Sequence, residues 1–306
     1  MHYVDLHLHT NHSDGTATVE EVLREADRQG LSVISVSDHN TVDAYDEIME
    51  RRALFGGKIL PGAELATVYR QEMIEIHGYG VDLAAIKKQI GQTYLTFYEK
   101  QVKEAAMDVS AVLASGATLD KAFADAMLHT PKRVFDPAHE TNRPYLLREL
   151  QRHPENARFF ESREEFETID PGVFSRKYLF NAESALYSDQ SALFPSPKRL
   201  IDMIHQCGGL AFLSHPFVYG KRFTDRPEEW LTLGIDGVEC MYGTFTDSQI
   251  CFLSEFCDRN HLYKSGGSDF HGLDMRPKNR LGFANERRIP QTLTDPWLNK
   301  LLDRLL

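Results

Sequence analysis

Residues 5–15 read DLHLHTNHSDG, and we predict a first strand over residues 3–9 that includes the start of this motif. His7 and His9 stand two residues apart in this strand. Side chains at that spacing project to the same face of a strand, so the two imidazoles can bind one cation together. Asp14 follows in the turn after the strand and adds a carboxylate close to them in sequence.

Short apolar runs alternate with amphipathic helical patterns on both sides of the middle of the chain. Thr18 has the capping-box spacing to Glu21 and begins the first helix, which a buried strand pattern, LSVISVS, follows. The predicted strands cover residues 3–9, 31–37, 58–60, 72–77, 210–214, 235–240 and 262–265. This order predicts an α/β fold in which helical crossovers join the parallel strands of a barrel.

The pattern changes in the middle of the chain. A helical pattern over residues 83–113, interrupted at Gly91, leads into a polar, proline-containing segment, and the barrel pattern returns at Ser196 and Pro197. A segment this long needs its own structure or a function, and covering an active site is such a function. We therefore predict a barrel domain over residues 1–83 and 196–306, with a mainly helical insertion over residues 84–195.

Metal-binding side chains recur where the predicted strands end. The carboxyl ends of parallel barrel strands share one rim, so these distant segments are predicted to meet there. The residues concerned are His7, His9, Asp14, His39, Glu64, His77, His215, Asp269 and His271. Mixed imidazole and carboxylate ligands favour manganese, zinc or iron over calcium. We expect divalent ions here, because buried carboxylates are costly without cations.

Several motifs resemble those of the PHP (polymerase and histidinol phosphatase) family, and together they are specific. They are DLHLHTNHSDG at 5–15, SDHNT at 37–41, PGAEL at 61–65, EIHGYG at 75–80, SHP at 214–216 and GGSDFH at 266–271. The resemblance covers the chain apart from the insertion, and it implies a distorted, TIM-like (β/α)7 barrel with a binuclear or trinuclear metal cluster. The insertion is similar to that of the subgroup that acts on nucleoside 3′,5′-bisphosphates and on the 5′ ends of short RNA.

The resemblance also implies which side chains share an ion. His7, His9, Glu64 and Asp269 would hold a first ion, Asp14, His39 and His271 a second, and Glu64, His77 and His215 a third. Glu64 would be a bridging ligand. Asp14 stands where some members of the family have histidine.

The resemblance implies hydrolysis of a phosphate ester by two or three divalent ions. Divalent cations lower the pKa of bound water, and the resulting hydroxide attacks phosphorus. The predicted catalytic residues are His215, beside the leaving oxygen, and Asp269. The predicted phosphate-binding residues are Arg143, Lys221, Arg222 and Ser268. Glu239 either orients a ligand histidine or is an ordinary buried carboxylate.

Charge and composition limit the partners. The formal net charge of −11, from 34 basic and 45 acidic residues, argues against binding of long nucleic acid. A small phosphorylated substrate, such as a nucleotide or a short RNA or DNA end, is compatible with it because bound cations make one site locally positive. Neither a signal-peptide pattern nor an apolar run of roughly 18 residues is visible, so we expect a cytoplasmic protein that does not enter a membrane.

Two other functions fit the same residues. A metal-dependent amide hydrolase is the first, because the same hydroxide can attack a carbonyl carbon. A non-catalytic module that retains the metal site for stability is the second, although the complete set of ligand positions argues against it.

Overall fold

The structure is a computed structural model that describes residues 2–219, 224–274 and 279–306. The chain divides into two compact units. The sheet unit contains Met1–Thr67, Ile74–Gln92 and Ser196–Leu306, and the helical unit contains Val68–Met73 and Thr93–Pro195. The first domain boundary predicted from the sequence lies between residues 83 and 84, whereas the sheet unit continues to Gln92.

Three parallel strands form one sheet of the sheet unit: β1 (Val4–Leu8), β2 (Val33–Val36) and β3 (Lys58–Ile59). Helices α1 (Val19–Arg28) and α2 (Ala44–Arg51) connect them. The predicted capping box begins α1, since the Thr18 hydroxyl accepts a hydrogen bond from the Glu21 amide and the Glu21 carboxylate accepts one from the Thr18 amide. The predicted α/β class, with parallel strands joined by helices, is confirmed.

Five strands form a second sheet, in the order β4 to β8. They are β4 (Gly62–Tyr69), β5 (Glu72–Tyr79), β6 (Leu210–Leu213), β7 (Gly237–Tyr242) and β8 (Tyr263–Gly267). β6, β7 and β8 pair in parallel, but β5 pairs with β6 in the antiparallel direction. The prediction of a wholly parallel strand set was therefore wrong at β5. Strand β4, which contains Glu64, was not predicted.

Single β-bridges connect the two sheets. Leu8 of β1 bridges Phe270, which follows β8, and His39, which follows β2, bridges Glu64 of β4. Backbone hydrogen bonds accompany both bridges, with His9 N donating to Phe270 O at 2.8 Å and Asn40 N donating to Glu64 O at 2.9 Å. Among the described residues the strands nevertheless form separate sheets, so a closed barrel is not established.

Two helices, α3 (Leu83–Thr93) and α4 (Phe97–Ala114), occupy the predicted long helical stretch. The break between them lies at residues 94–96, and the prediction of a break at Gly91 was wrong. Thr96 caps α4 through a capping box with Glu99, which fixes the start of the second helix. Gly91 lies inside α3.

The helical unit has an apolar core of its own. Its further helices are α5 (Lys121–His129), α6 (Arg143–Gln151), α7 (Arg163–Thr168) and α8 (Pro171–Phe174). Val109, Leu146, Phe166 and Phe174 belong to the core and are almost fully buried. A core of this kind gives the segment the internal structure that its length requires.

The remaining elements complete the sheet unit. They are α9 (Pro197–Gln206), α10 (Asp247–Asn260), the antiparallel pair β9 (Phe283–Ala284) and β10 (Arg287–Arg288), and α11 (Asp295–Leu298). The predicted cap Ser196 begins α9 by accepting a hydrogen bond from Arg199 N. Leu6 of β1, Phe212 of β6 and Trp297 of α11 pack in one apolar cluster. Within the described ranges, none of the helices combines the length and the apolar composition of a membrane span.

Candidate metal centre

All nine predicted ligand residues lie in the sheet unit. His7 lies in β1, Glu64 in β4 and His77 in β5. The others follow the ends of strands or lie in the turn after β1: His9, Asp14, His39, His215, Asp269 and His271. Most of these side chains are buried, whereas those of Asp14 and His39 are 46% and 25% exposed.

The first predicted group is brought together around β1. His7 Nε2 and His9 Nε2 lie 3.1 Å apart, and each is 3.3 Å from Asp269 Oδ1. Glu64 Oε2 lies 3.3 Å from His7 Nε2 and 3.4 Å from His9 Nε2. Four side chains from three separate segments therefore direct nitrogen or oxygen atoms at a shared position.

The second predicted group also converges. Asp14 Oδ1 lies 3.2 Å from His271 Nε2, and Asp14 Oδ2 lies 3.6 Å from His39 Nε2. His9 Nδ1 joins this group at 3.8 Å from Asp14 Oδ1. His9 thus contacts two groups, a feature that the sequence analysis did not assign.

The third predicted group is brought together less completely. Glu64 Oε1 lies 3.0 Å from His215 Nε2 but 3.9 Å from His77 Nε2. The His77 ring packs edge-on against the His7 ring, with 4.2 Å between centroids, and its Nδ1 shares a hydrogen bond of 2.8 Å with the Ser214 hydroxyl.

Unsatisfied polar atoms indicate that this donor set fits divalent cations. Among the described residues, several buried atoms of the cluster have no hydrogen-bond partner: His9 Nδ1, Glu64 Oε1, Glu64 Oε2, His77 Nε2, His215 Nδ1 and His271 Nε2. Buried polar atoms almost always have partners, and a concentration of exceptions calls for an ion or another ligand. Imidazole nitrogen and carboxylate oxygen are the donors that manganese, zinc and iron accept.

Carboxylates and imidazoles shift one another's pKa. Burial opposes the charge of Glu64, but His7 and His215 outweigh it and hold the pKa of this carboxyl well below its usual range. Burial also opposes a charge on His9 and His215, yet their carboxylate neighbours raise the pKa of each imidazole to about 9. Without metal, the centre therefore retains protons on these histidines, and bound cations would displace those protons.

Buried carboxylates outside the nine residues orient the cluster. Glu239 Oε1 lies 2.9 Å from His7 Nδ1, and Glu239 Oε2 accepts a hydrogen bond from His215 N at 2.8 Å. Of the two predicted roles of Glu239, the structure supports the orientation of a ligand histidine. Asp38 accepts hydrogen bonds from Thr10 and Ser13, which anchors the turn that leads to Asp14.

Backbone strain coincides with two of the predicted ligands. His215 has φ of 22° and Asp269 has φ of 54°, values in the left-handed region that L side chains rarely adopt. Each such residue costs about 1–3 kcal/mol, and the surrounding contacts must supply that energy.

Two residues of the centre were missed by the sequence analysis. Glu75 Oε1 lies 3.2 Å from His39 Nδ1, and Glu75 Oε2 lies 3.4 Å from His215 Nε2. The Tyr242 hydroxyl donates a hydrogen bond of 2.6 Å to Asp269 Oδ2. Glu75 stands two residues before His77 in one strand, the same spacing as His7 and His9, and this spacing was the available signal.

Two of the four predicted phosphate-binding residues, Arg143 and Ser268, lie in the part of the chain that the structure describes. Arg143 belongs to the helical unit, where its Nη2 lies 3.5 Å from the buried Glu104 Oε1 and its guanidinium stacks on Phe180. Ser268 is fully buried and its hydroxyl donates to Asp5 Oδ2 at 2.6 Å, which argues against a substrate contact. Lys221 and Arg222 lie outside the described residues.

Known proteins resemble this chain along most of its length. A family model described as PHP domain matches residues 5–257. The 5′-3′ exoribonuclease of Haemophilus influenzae is 27% identical over 270 residues, which cover 87% of this chain and 89% of that protein. The 3′,5′-nucleoside bisphosphate phosphatase of Chromobacterium violaceum is 26% identical over 280 residues, with 89% and 88% covered. The structure of an amidohydrolase from Chromobacterium violaceum aligns with 99% of this chain and 97% of its own, at 23% identity and a TM-score of 0.65, and shows a similar fold.

Proposed function

The chain belongs to the PHP domain family, and we propose that this phosphoesterase hydrolyses small phosphorylated substrates, with nucleoside 3′,5′-bisphosphates and short RNA 5′ ends as the leading candidates. One observation carries the proposal. Buried imidazole and carboxylate groups from distant segments converge within 3.0–3.9 Å of one another. The printed activities of the exoribonuclease and bisphosphate phosphatase relatives support the choice of substrate.

Two or three divalent ions, with manganese, zinc or iron as the suitable metals, would supply an activated water and neutralise the charge of the phosphate. His7, His9, Glu64 and Asp269 would hold the first ion. Asp14, His39 and His271 would hold the second, and Glu64, His77 and His215 the third. The 3.9 Å from His77 Nε2 to Glu64 Oε1 makes the third position the least well formed.

Protein groups around the ligands fix their orientation before substrate binds. Glu239 holds the His7 ring through Nδ1, which leaves Nε2 directed at the cluster. Tyr242 holds one oxygen of Asp269, which leaves Oδ1 beside His7 and His9. Such preorganisation lowers the cost of arranging charge when the phosphorus is attacked.

His215 is the proposed proton donor to the leaving oxygen, in the state in which it does not hold the third ion. In the metal-free chain, burial opposes its charge, but Glu64 at 3.0 Å raises the pKa of His215 to about 9. In its protonated form the imidazole can give its proton to a leaving alkoxide.

The basic residues proposed to bind phosphate are Arg143, Lys221 and Arg222. Their charge complements a phosphate group, and Lys221 and Arg222 follow His215 by only a few residues. Arg143 would have to exchange its contact with Glu104 for one with the substrate.

We also propose that strands of both sheets contribute to a distorted (β/α)7 barrel. The bridges Leu8–Phe270 and His39–Glu64 support this, because each connects a segment of one sheet to a segment of the other. The barrel would comprise residues 1–83 and 196–306, and residues 84–195 would form a functional insertion.

A substrate panel tests the proposal. Phosphate release is measured with adenosine 3′,5′-bisphosphate, mononucleotide release with a 5′-phosphorylated ribodinucleotide and with long duplex RNA, and amide cleavage with a set of amides, before and after chelation. We expect metal-dependent hydrolysis of the first two substrates. Hydrolysis of amides alone, or phosphate release that survives complete metal removal, would refute it.

A further inference from the structure

Glu75 occupies a fixed position in the middle of the candidate metal centre. It lies in β5 two residues before His77, so both side chains project from the same face of the strand. Its amide donates a hydrogen bond to the Tyr219 hydroxyl at 2.7 Å, and its carbonyl accepts one from Ser214 N at 3.1 Å. The backbone that carries the carboxylate is therefore held from both sides.

The Glu75 carboxylate spans the same two imidazoles as Glu64. Its Oε1 lies 3.2 Å from His39 Nδ1 and its Oε2 lies 3.4 Å from His215 Nε2. Glu64 Oε2 lies 3.4 Å from the same His39 nitrogen, and Glu64 Oε1 lies 3.0 Å from the same His215 nitrogen. Each imidazole nitrogen thus faces one oxygen from each carboxylate.

This arrangement is unfavourable for two carboxylates without cations between them. The Glu64 side chain is 1% exposed and that of Glu75 is 21% exposed, so water screens their repulsion poorly. Glu64 Oε1 and Oε2 have no hydrogen-bond partner among the described residues, although imidazole nitrogens lie within 3.4 Å of them. Buried nitrogen and oxygen atoms that lie this close without a hydrogen bond between them call for an ion or another ligand that binds them together.

We propose that Glu75 is a tenth metal ligand, which bridges the second and third ion positions by binding one ion beside His39 and the other beside His215. The inference rests on the proposed function, because it needs divalent ions in the centre. It gives the least complete third group an oxygen donor in addition to Glu64 and His215. It also gives the second group a carboxylate besides that of Asp14, whose side chain is 46% exposed whereas that of Glu75 is 21% exposed.

Metal content tests this role independently of activity. Wild-type protein and Glu75→Gln are loaded with Mn²⁺ and dialysed, the bound metal per chain is measured by elemental analysis, and each affinity is measured by calorimetric titration. We expect Glu75→Gln to bind one ion fewer, or to bind one ion at least about ten-fold more weakly, because even residues that only orient ligands change affinity by about 10- to 100-fold. Electron paramagnetic resonance should show weaker coupling between the remaining Mn²⁺ ions.

A matched control separates this effect from a general loss of charge. Glu72→Gln makes the same change three residues earlier in β5, on the other face, and should bind as many ions as the wild type. Glu75→Asp keeps the charge but shortens the side chain, and should also lose the bridge; it replaces Glu75→Gln if that variant does not fold.

The outcomes distinguish this inference from the proposed function. Wild-type stoichiometry and affinities in a folded Glu75 variant would refute the bridge, while metal-dependent phosphate release by the wild type would leave the proposed function intact. A wild-type protein that binds no divalent ion would refute both.

Discussion

At the scale of single residues, Asp269 is the most constrained of the predicted ligands. Its φ of 54° is strained, its Oδ1 lies 3.3 Å from both His7 Nε2 and His9 Nε2, and its Oδ2 accepts the Tyr242 hydroxyl. Burial opposes its charge, but His7 and then His9 lower the pKa of the Asp269 carboxyl below its usual range. These contacts keep Asp269 ionised and directed at the cluster.

Asp269→Asn should therefore abolish the first ion position. We expect activity to fall by at least about 100-fold, because orienting residues alone change metal affinity or activity by about 10- to 100-fold and Asp269 is a predicted direct ligand. Phosphate release and bound metal are measured together. The control Asp303→Asn alters an exposed carboxylate and should change neither. Full metal occupancy in Asp269→Asn would exclude Asp269 as a ligand.

The histidines predict how metal binding depends on pH. Although burial opposes protonation, carboxylate neighbours raise the pKa of His9 and of His215 to about 9 in the metal-free chain. Below pH 9 an incoming ion must displace protons, so apparent metal affinity should rise with pH and level off above about 9. Titration calorimetry at pH 7.5, in buffers of different ionisation enthalpy, should detect proton release. Binding without proton release would contradict these protonation states.

At the scale of secondary-structure elements, β8 approaches β1 so closely that Gly267 has no space for a side chain. A Cβ atom on Gly267 would lie 2.1 Å from His7 Cβ and 2.5 Å from His7 N. Gly91 in α3 is the opposite case. Apart from its two chain neighbours and the backbone of its own helix, the described residues place no atom within 4 Å of a Cβ added at Gly91. The two glycines form a natural pair for mutation.

Gly267→Ala should destabilise the protein by about 1–3 kcal/mol, the usual cost of overpacking, and should weaken metal binding because it displaces His7. Gly91→Ala should stabilise it by about 0.5–1 kcal/mol, because alanine is the better helix former. Urea unfolding measures both changes. Equal stability of the two variants would mean that β1 and β8 are not in this close contact.

Sequence patterns predicted most elements, and the errors have local physical causes. The capping box of Thr18 predicted α1, and the same spacing between Thr96 and Glu99 was available to predict the start of α4. The hairpin of β4 and β5 was missed because its turn residues, Arg70 and Gln71, have positive φ without the glycine or asparagine that usually indicates such a turn.

At the scale of the whole molecule, the recurrence of histidine and carboxylate at strand ends was enough to predict which nine side chains converge. The spacing of Glu75 to His77 shows only that both side chains lie on one face of β5, so it could place Glu75 near the centre but could not identify its partners. The carboxylate of Glu75 reaches His39 and His215, 36 and 140 residues away along the chain, and the Tyr242 hydroxyl likewise reaches Asp269 from another strand.

The central claim is that side chains from both sheets share divalent cations. Anomalous diffraction from crystals grown with Mn²⁺ tests it most directly. We predict anomalous peaks bonded to Glu64, with His7, His9 and Asp269 around one ion and His39 or His215 around another. Crystals of active protein with Mn²⁺ peaks only elsewhere, or with none, would contradict the account.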